Sequence, residues 1–418
     1  MLRLCARPPS RPVCPALDWI PAEYLDNVVG LLQPGRLDFI SSASLITAEK
    51  YWSRLSRERW PVDSLDLSLH GQSWKRLYAE RHLRECLERY NHSRASLNYA
   101  RLLAEVEACK PFVHTLVLKE LLSHLDLSDL LFDFPHLQTL QLKYGARELA
   151  MDFDKSLFGM SLADCVSLSK LMAHTGSITT LALGENLLGD EGVMLLMAGL
   201  HPAANATLTS LDLSHNKITD IGARRIAQLL DGGMSQATPA SSRLPPSADG
   251  LAGTVLLSLN LSDNHIGAGG AAAFGAALSN NRGLRKLNLS LNGLGDEGGA
   301  ALLAGGTQHT ALRELVLSSA ELGPESGEAL LNLVRFNRSL DSLQLACNPG
   351  LFSSDSGECG AALLDALQQN EQIIALDMRR NQLAPTVDAE IKSMMSKRLA
   401  LYKQATRKAF QKDWDAAM

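Results

Sequence analysis

One arrangement of apolar and polar positions recurs seven times between residues 178 and 387. In the best copy, Leu208, Leu211 and Leu213 alternate with polar residues, and Asn216 follows them. This alternation predicts a short strand, and the helical spacing of apolar residues after Gly222 predicts a helix. The copies begin at Ile178, Leu208, Leu256, Leu284, Leu312, Leu340 and Ile373, and the interval after Leu208 is the longest. The pattern therefore predicts one strand and one helix in each unit, with a period of about 28 residues.

A strand and a helix at this period are typical of leucine-rich repeats. We predict an α/β leucine-rich-repeat solenoid of the ribonuclease-inhibitor-like type, with a parallel sheet on the inside of an arc and helices outside. A single repeat cannot bury its leucines, so each repeat must stack on its neighbours. Such a solenoid offers a long binding surface and is typical of interaction proteins rather than enzymes.

An asparagine column follows the predicted strands. Its members are Asn186, Asn216, Asn264, Asn292, Asn348 and Asn381, and Ala320 takes the position in the remaining copy. A buried amide can accept from and donate to backbone groups that find no partner in the sheet. We interpret the column as a structural Asn ladder and expect a weaker turn at Ala320.

Strand residues between the buried leucines point to the concave face, because side chains alternate along a strand. The residues that we select there as candidate partner-binding positions are Asp212, Asn260, Asn288, Gln344, Asp377 and Arg379. The face has no aromatic side chain and few charges, whereas strong interaction sites are enriched in Trp, Tyr and Arg. Small side chains favour a helix or an extended segment lying close to the sheet; the alternative is a solvated face.

Composition changes along the chain and suggests five segments. They are a flexible N-terminal tail (1–16), a helical, F-box-like cap module (17–105), degenerate repeats with an irregular connection (106–177), the repeats with an inserted loop at 232–253 (178–387), and a basic C-terminal helix (388–418). Strand signals at 113–118 and 137–142 mark the degenerate repeats, and no element is predicted over 119–135 or 143–165. The inserted loop, rich in Gly, Ser, Ala and Pro, is interpreted as a tolerated insertion, with partner contact as the alternative.

The cap module contains four of the five tryptophans. Helices are predicted over residues 21–32, 37–44, 47–59 and 73–90. Trp52, Trp60 and Trp74 are predicted to form a core that shields the apolar end of the first repeat, because a tryptophan buries roughly 150–250 Å². Direct partner contact is the alternative role for these three side chains.

The C-terminal helix has seven basic and four acidic residues, a net charge of 7 − 4 = +3. Its beginning is expected to cap the last repeat. The basic remainder is expected to face an acidic partner, such as a coiled coil or a tubulin surface, or else solvent.

The overall composition narrows the classes of function. A formal charge of −5 and a pI near 6.1 argue against nucleic-acid binding driven by net charge. Seven scattered cysteines favour a reduced chain, and no apolar run is long enough to predict a membrane span. No motif predicts a catalytic, cofactor-binding or metal-binding site, and His215 and His265 lie in predicted turns without an acidic partner. We therefore predict no enzymatic activity and no cofactor.

Several segments of the cap module and its connection resemble a known family. They are Tyr51-Trp52, Arg59-Trp60-Pro61, residues 71–76, residues 80–83, residues 151–153 and residues 164–168. Together with the repeats, they resemble the dynein regulatory complex subunit 5 family, also called T-complex-associated testis-expressed protein 1, over about residues 20–385. The inserted loop and Ala320 depart from the pattern of that family.

The resemblance implies a non-enzymatic subunit of the nexin–dynein regulatory complex, which links doublet microtubules in the axoneme of motile cilia and flagella. The partners implied are the coiled-coil and leucine-rich-repeat subunits of that complex, with tubulin as a further candidate through the basic helix. Neither nucleic acid nor membrane is expected as a partner.

Two other families share parts of the pattern. Residues 20–25 with Trp52 resemble an F-box, and residues 74–78 resemble sequences that follow one. An F-box before leucine-rich repeats implies a substrate receptor of a ubiquitin ligase. The repeat length also resembles the activator of the Ran GTPase, although that family carries an acidic tail where this chain has a basic one.

Overall fold

The computed structural model describes residues 39–43, 46–90, 99–121, 125–145, 158–200, 207–231, 256–353 and 358–417. The predicted tail, the predicted helix at 21–32 and the inserted loop lie outside these ranges. The chain divides into two compact units, residues 1–158 with 174–181 and residues 159–173 with 182–418.

The first unit combines the cap helices with two strands. Its helices are Phe39–Ser42 (α1), Glu49–Arg59 (α2), Trp74–Arg89 (α3), Tyr99–Cys109 (α4) and Leu127–Leu130 (α5), its short 3-10 turns are Val62–Ser64 and Ser68–His70, and its strands are Thr115–Leu121 (β1) and Thr139–Tyr144 (β2). The helices predicted at 47–59 and 73–90 correspond to α2 and α3. Ser73 caps α3, since its hydroxyl accepts from the Arg76 N–H at 3.3 Å. The helical region extends to Cys109, beyond the predicted boundary at 105.

Helix α3 supplies carboxylates to the backbone of β1. Strand β1 pairs in parallel with β2, with Leu116 beside Leu140. Glu80 Oε1 accepts from the backbone N–H groups of His114 and Thr115 at 2.8 Å each, and Glu88 Oε1 accepts from that of Lys119 at 2.6 Å. These bonds satisfy backbone donors that an uncovered edge strand would leave available for another chain.

The second unit and its boundary elements contain the repeats. Their helices are Leu162–His174 (α6), Gly189–Gly199 (α7), Asp220–Leu230 (α8), Ala268–Asn280 (α9), Gly295–Thr307 (α10), Pro324–Phe336 (α11), Glu358–Gln369 (α12) and Pro385–Ala417 (α13), with a 3-10 turn at Pro349–Phe352. The strands are Thr180–Ala182 (β3), Ser210–Asp212 (β4), Ser258–Asn260 (β5), Lys286–Asn288 (β6), Glu314–Val316 (β7), Ser342–Gln344 (β8) and Ala375–Asp377 (β9).

Strands β4 to β9 pair in parallel and in chain order. The leucines at the strand centres lie in one register, Leu211, Leu259, Leu287, Leu315, Leu343 and Leu376. Those of β4 to β8 are buried, with 1% exposure or less. The leucine-rich-repeat solenoid predicted from the period of the apolar pattern is confirmed.

Three sequence predictions differ from the structure. No element is predicted over residues 119–135 or 143–165, but α5 lies at Leu127–Leu130 and α6 begins at Leu162. Its amphipathic pattern is obscured because Asp164 and Ser167 share the buried face with Leu168. Asp164 is satisfied there by accepting from the Ser161 N–H at 2.9 Å and hydroxyl at 2.6 Å. The C-terminal helix begins at Pro385 rather than at residue 388, because proline is favoured in the first turn of a helix.

Candidate partner-binding surfaces and the polar ladders behind them

The Asn ladder ties each repeat to the next. Asn264 shows the arrangement: its Oδ1 accepts from the backbone N–H groups of Asn216 at 2.9 Å and Ile218 at 3.0 Å. Its Nδ2 donates to the carbonyls of Leu213 at 3.0 Å and Leu261 at 2.9 Å. The six asparagines are between 0% and 5% exposed. Their amides are therefore used inside the fold and are not available to a partner.

The residue before the ladder position has a left-handed backbone in every repeat. The φ angles lie between 55° and 64° at Glu185, His215, Asp263, Leu291, Ser319, Cys347 and Arg380. Non-glycine residues adopt this region at a cost of about 1 kcal/mol or more. Ser319 has it although Ala320 follows, so the turn forms without an amide at that position.

Ala320 leaves one rung of the ladder incomplete. Its own N–H donates to Asn348 Oδ1 at 2.9 Å, and the side chain is fully buried. A methyl group, however, cannot accept from the N–H groups of Asn292 and Leu294, which occupy the positions that Asn264 serves in the preceding repeats.

We predict that Ala320→Asn raises the free energy of unfolding by about 1 kcal/mol, because the new amide supplies the missing acceptor. The measurement is the midpoint of urea unfolding. Ala320→Leu is the matched control, since it adds similar volume without an amide and is expected to destabilise. Equal destabilisation by both variants would mean that the repeats have closed over this position.

A second ladder, which the sequence analysis missed, lies where the repeat helices end. Its members are Asn281, His309, Asn337 and Asn370, each three residues before the first leucine or isoleucine of the next repeat. Asn337 Oδ1 accepts from the N–H groups of Ser339 at 2.8 Å and Leu340 at 2.9 Å, and its Nδ2 donates to the carbonyls of Gly306 and His309 at 2.9 Å each. The signal was the recurrence of asparagine at the repeat period, which a histidine in one copy interrupts.

His309 makes the two accepting hydrogen bonds of an asparagine at this position but none of the donating ones. Its Nδ1 accepts from the N–H groups of Ala311 at 3.1 Å and Leu312 at 2.9 Å, while its buried Nε2 has no partner among the described residues. Burial, together with the charge of Arg282, lowers the pKa of His309 to about 4. The imidazole is therefore neutral in the folded chain.

We predict that acid destabilises the chain through His309. The ordinary pKa of 6.5 applies to the unfolded chain and about 4 to the folded chain, so the unfolded state takes up the proton first. Stability is complete above pH 6.5 and falls towards pH 4, by about 2–3 kcal/mol. His309→Asn should remove this loss and add about 1 kcal/mol at neutral pH.

The readout is the difference in unfolding free energy between wild type and His309→Asn, measured by urea at pH 4.5 and 7.5. His265→Asn is the control, because His265 is exposed. The same acid loss in His309→Asn as in wild type would contradict the assignment.

The structure places five of the six candidate partner-binding residues in one register on the strands. Asp212, Asn260, Asn288, Val316, Gln344 and Asp377 follow one another from β4 to β9, and we call them the strand-face row. All six are partly exposed. Val316, in the middle of the row, was not selected from the sequence. Arg379, two residues beyond Asp377, forms an ion pair with it at 2.6 Å.

Part of the strand-face row is used in local hydrogen bonds. Asp212 Oδ1 accepts from the Ser214 N–H at 2.9 Å and from Asn260 Nδ2 at 3.0 Å. Asn288 Oδ1 accepts from the N–H and hydroxyl of Ser290. These bonds hold the short side chains of Asp212, Asn260 and Asn288 close to the sheet, so this part of the row is low and polar.

His215 does have an acidic partner, contrary to the prediction. Its Nδ1 lies 2.5 Å from Asp263 Oδ2 in the next repeat, and both side chains are about half exposed. The pair was missed because the acid comes from the turn of the following copy, far away in the sequence. It joins adjacent turns, and neither residue contacts a nucleophile among the described hydrogen bonds.

The three tryptophans of the cap module have different surroundings. Trp52 is fully buried, donates from Nε1 to the Ile46 carbonyl at 3.1 Å and packs edge-on against Phe39. Trp60 and Trp74 are only half-buried. Arg81 stacks on Trp60 and Arg57 on Trp74, with 5.5 Å and 5.1 Å to the ring centres. Trp52 thus lies in the core, while the other two reach the surface.

One buried cluster in the first unit resembles a nucleophile with a base. Cys86 Sγ lies 3.6 Å from His82 Nε2, which lies 2.9 Å from Glu105 Oε2. Because Arg59 donates to His82 Nδ1 at 2.9 Å, the Nε2 of a neutral imidazole carries the proton and cannot accept one from the thiol. Burial and the charge of Glu105 raise the pKa of Cys86 to about 12. The thiol stays protonated, which is the wrong state for a nucleophile.

The described residues offer no site for metal chemistry and no bilayer span. Across the described ranges, no group of three His, Cys, Asp or Glu side chains is arranged to hold a metal ion. Within the same residues, no helix is both long and apolar enough to cross a membrane.

Comparisons with known proteins agree with the repeat pattern. The family model described as "Leucine Rich repeat" matches residues 204–227, 254–275 and 280–303. Dynein regulatory complex subunit 5 of Chlamydomonas reinhardtii is 37% identical over 185 residues, which cover 44% of this chain and 46% of that protein. The chain is thus a relative of dynein regulatory complex subunit 5.

Mammalian proteins of the same name give similar matches. Dynein regulatory complex subunit 5 of Mus musculus is 30% identical over 244 residues, 51% of this chain and 47% of that protein. The Homo sapiens protein is 28% identical over 245 residues, with 51% and 47% covered. The matches confirm the resemblance to this family, over about half of the chain. The chain spans about half the length of these curated relatives.

Proposed function

We propose that the chain is a non-enzymatic scaffold subunit of a dynein regulatory complex and works in the axoneme of cilia or flagella. The similarity to dynein regulatory complex subunit 5, 37% identical over 185 residues, is the observation that carries this proposal. In this role the chain binds other subunits, including coiled-coil and leucine-rich-repeat subunits, and helps to link doublet microtubules. The candidate acidic partners of the basic helix α13 are a helix of another subunit and tubulin.

The interior polar groups support a positional role. Both ladders use their amides to join consecutive repeats, so a displacement of one repeat breaks hydrogen bonds in the next. The cluster most similar to an active site, Cys86 with His82, holds its thiol protonated. A stack joined in this way keeps its binding surfaces at fixed spacing.

The strand-face row supports the docking of a helix or an extended segment. Its side chains are short or bent back into local bonds, as at Asp212 and Asn288. A partner backbone can therefore approach the sheet closely, and polar contacts with the amide of Gln344 would set its position.

We predict that the double substitution Asn260→Arg with Asn288→Arg lowers partner capture about tenfold or more, because two long charged side chains would block the strand-face row. Ala272→Arg with Ala276→Arg is the matched control, since both alanines are exposed on α9, away from the strands. Capture is measured by co-purification of tagged chain with regulatory-complex subunits from ciliated cells. Equal capture by both double variants would remove the strand-face row from the interface.

The proposal as a whole is tested by locating the tagged full chain in a ciliated cell. We expect it in the detergent-insoluble axoneme, together with the other regulatory-complex subunits, and expect its deletion to impair beating. A chain that stays in the soluble fraction and co-purifies with none of those subunits would contradict the proposal.

A further inference from the structure

Helix α13 is anchored to the last repeat by its first half. Ile391 and Met395 are buried, 3% and 7% exposed. Arg398 donates to the carbonyls of Leu367 at 2.5 Å, Asn370 at 2.9 Å and Ile373 at 3.0 Å, where α12 ends. Three charge-assisted bonds to carbonyls at the end of α12 and just beyond it fix the direction in which α13 continues.

The apolar stripe of α13 continues after this interface ends. Tyr402 follows Met395 by two helical turns and Ile391 by three, so it lies on the face that these residues bury. Tyr402 is nevertheless 53% exposed, and Leu399 beside it is 38% exposed. A stripe that is covered over its first part and open over its second lacks a partner for the second part.

The exposed half is also strongly basic. Between Glu390 and Asp413 the chain has no acidic residue and seven basic ones, Lys392, Lys397, Arg398, Lys403, Arg407, Lys408 and Lys412. Lys392 pairs with Asp388 at 2.6 Å, and Arg398 caps α12. Lys403, Arg407 and Lys408 are exposed and form no ion pair with the described residues.

We propose that the exposed half of α13, from Leu399 onwards, binds an acidic amphipathic helix of a neighbouring subunit. The inference rests on the proposed function, which supplies such neighbours. An apolar stripe of the partner covers Leu399 and Tyr402 and continues the interface that Ile391 and Met395 make with the last repeat. Its carboxylates are attracted by the positive charges of Lys403, Arg407 and Lys408, of which Lys403 lies nearest to the stripe.

A helix fits this surface better than an unstructured acidic tail of the kind found on tubulin. A flexible acidic tail neutralises the three bases but leaves Leu399 and Tyr402 in water. A partner helix buries both side chains, and its acidic residues are held within the positive field of the bases. The apolar stripe therefore decides between the two occupants.

The test uses the full chain and two synthetic peptides of equal negative charge. One peptide is an amphipathic helix with leucine at the heptad a and d positions and glutamate at the others, and the other is polyglutamate. We expect the amphipathic peptide to bind and polyglutamate to bind at least about tenfold more weakly at physiological salt. Equal binding of the two peptides would overturn the proposal, as would binding of neither.

Two sets of substitutions test the apolar stripe and the basic residues of α13 separately. Leu399→Gln with Tyr402→Gln keeps the charge and the helix propensity and is expected to weaken binding about tenfold. Lys403→Glu with Arg407→Glu and Lys408→Glu is expected to abolish it. The control Lys217→Glu with Arg285→Glu and Arg338→Glu makes the same charge change at exposed positions elsewhere and is expected to bind normally.

Circular dichroism of each variant checks that the chain remains folded. We expect α13 to stay anchored, because Ile391, Met395 and Arg398 are unchanged. If the glutamine variant binds like wild type, or if the control triple variant loses binding, the proposal is wrong. Incorporation of the wild-type chain into axonemes tests the proposed function separately. Normal incorporation without peptide binding would overturn only the inference about α13.

Discussion

Replacing Asn264 by Ala is expected to lower the free energy of unfolding of the repeats by about 3–5 kcal/mol, because each unpaired buried group costs about 1–3 kcal/mol. Asn264 lies in the middle of the Asn ladder and is 5% exposed. The alanine would leave the N–H groups of Asn216 and Ile218 and the carbonyl of Leu213 without their amide partner. The measurement is urea unfolding followed by circular dichroism.

Asn280→Ala is the matched control for this result. Asn280 belongs to the same repeat, but it is exposed and its Nδ2 makes one bond, to Asp231 Oδ1 at 2.9 Å. We expect a change within about 0.5 kcal/mol, as for ordinary surface substitutions. A loss below about 1 kcal/mol in Asn264→Ala would mean that water or a rearranged turn replaces the amide.

The repeat register could be read from the sequence because it depends on one residue type. Leu259, Leu287 and Leu315 recur at a constant interval along the chain, and they lie side by side in β5, β6 and β7. Every strand buries a leucine at the same position, so the constant spacing of these leucines predicts which residues of adjacent strands pair. The extra residues between Leu211 and Leu259 do not disturb it, since the two leucines are partners in β4 and β5.

The remaining features depend on contacts between residues far apart in the sequence, so they could not be read from a single segment. His215 meets Asp263, and the N–H groups of His114 and Thr115 meet Glu80, over long sequence separations. The second ladder was hidden because His309 makes the two N–H contacts of an asparagine with a different side chain. Exposure of Trp60 and Trp74 could not be predicted, because residue type gives the area that can be buried but not which ring the helices cover.

The contrast between regular and less regular positions bears on the proposed function. The Asn amides, although the most regular polar feature of the sequence, lie inside and join repeats. The exposed surfaces are the less regular ones, the strand-face row and the exposed half of α13. The regular positions therefore stabilise the repeats, and we propose that the variable positions beside them carry the specificity of docking.

Replacing Gly305 by Ala is expected to destabilise the repeats by about 3 kcal/mol or more, because it forces two helices apart. A Cβ atom at Gly305 in α10 would lie 2.0 Å from the carbonyl oxygen of Gly275 in α9. A Cβ atom at Gly275 would in turn lie 2.4 Å from the Ala301 carbonyl oxygen. Backbone atoms on both sides leave no flexible side chain that can move to make room.

Gly306→Ala is the matched control, one residue further along the same helix. The nearest atom to its Cβ would be Leu333 Cδ1 at 3.4 Å, an ordinary contact. Since alanine is favoured over glycine in helices, we expect this variant to be neutral or to gain up to about 1 kcal/mol. Equal effects of the two substitutions on the thermal unfolding midpoint would show that α9 and α10 can separate freely.

We expect the contact at Gly305 to affect the geometry of the strand-face row as well. Paired strands lie about 4.8 Å apart, whereas packed helices usually lie about 8–10 Å apart. Glycine backbones let α9 and α10 approach closely, which reduces this mismatch between the repeats that carry Asn260 and Asn288. Gly305→Ala should therefore weaken partner capture through the strand-face row as well as stability, whereas Gly306→Ala should leave capture unchanged. If a folded Gly305→Ala chain captured partners normally, the spacing of α9 and α10 would have no effect on docking.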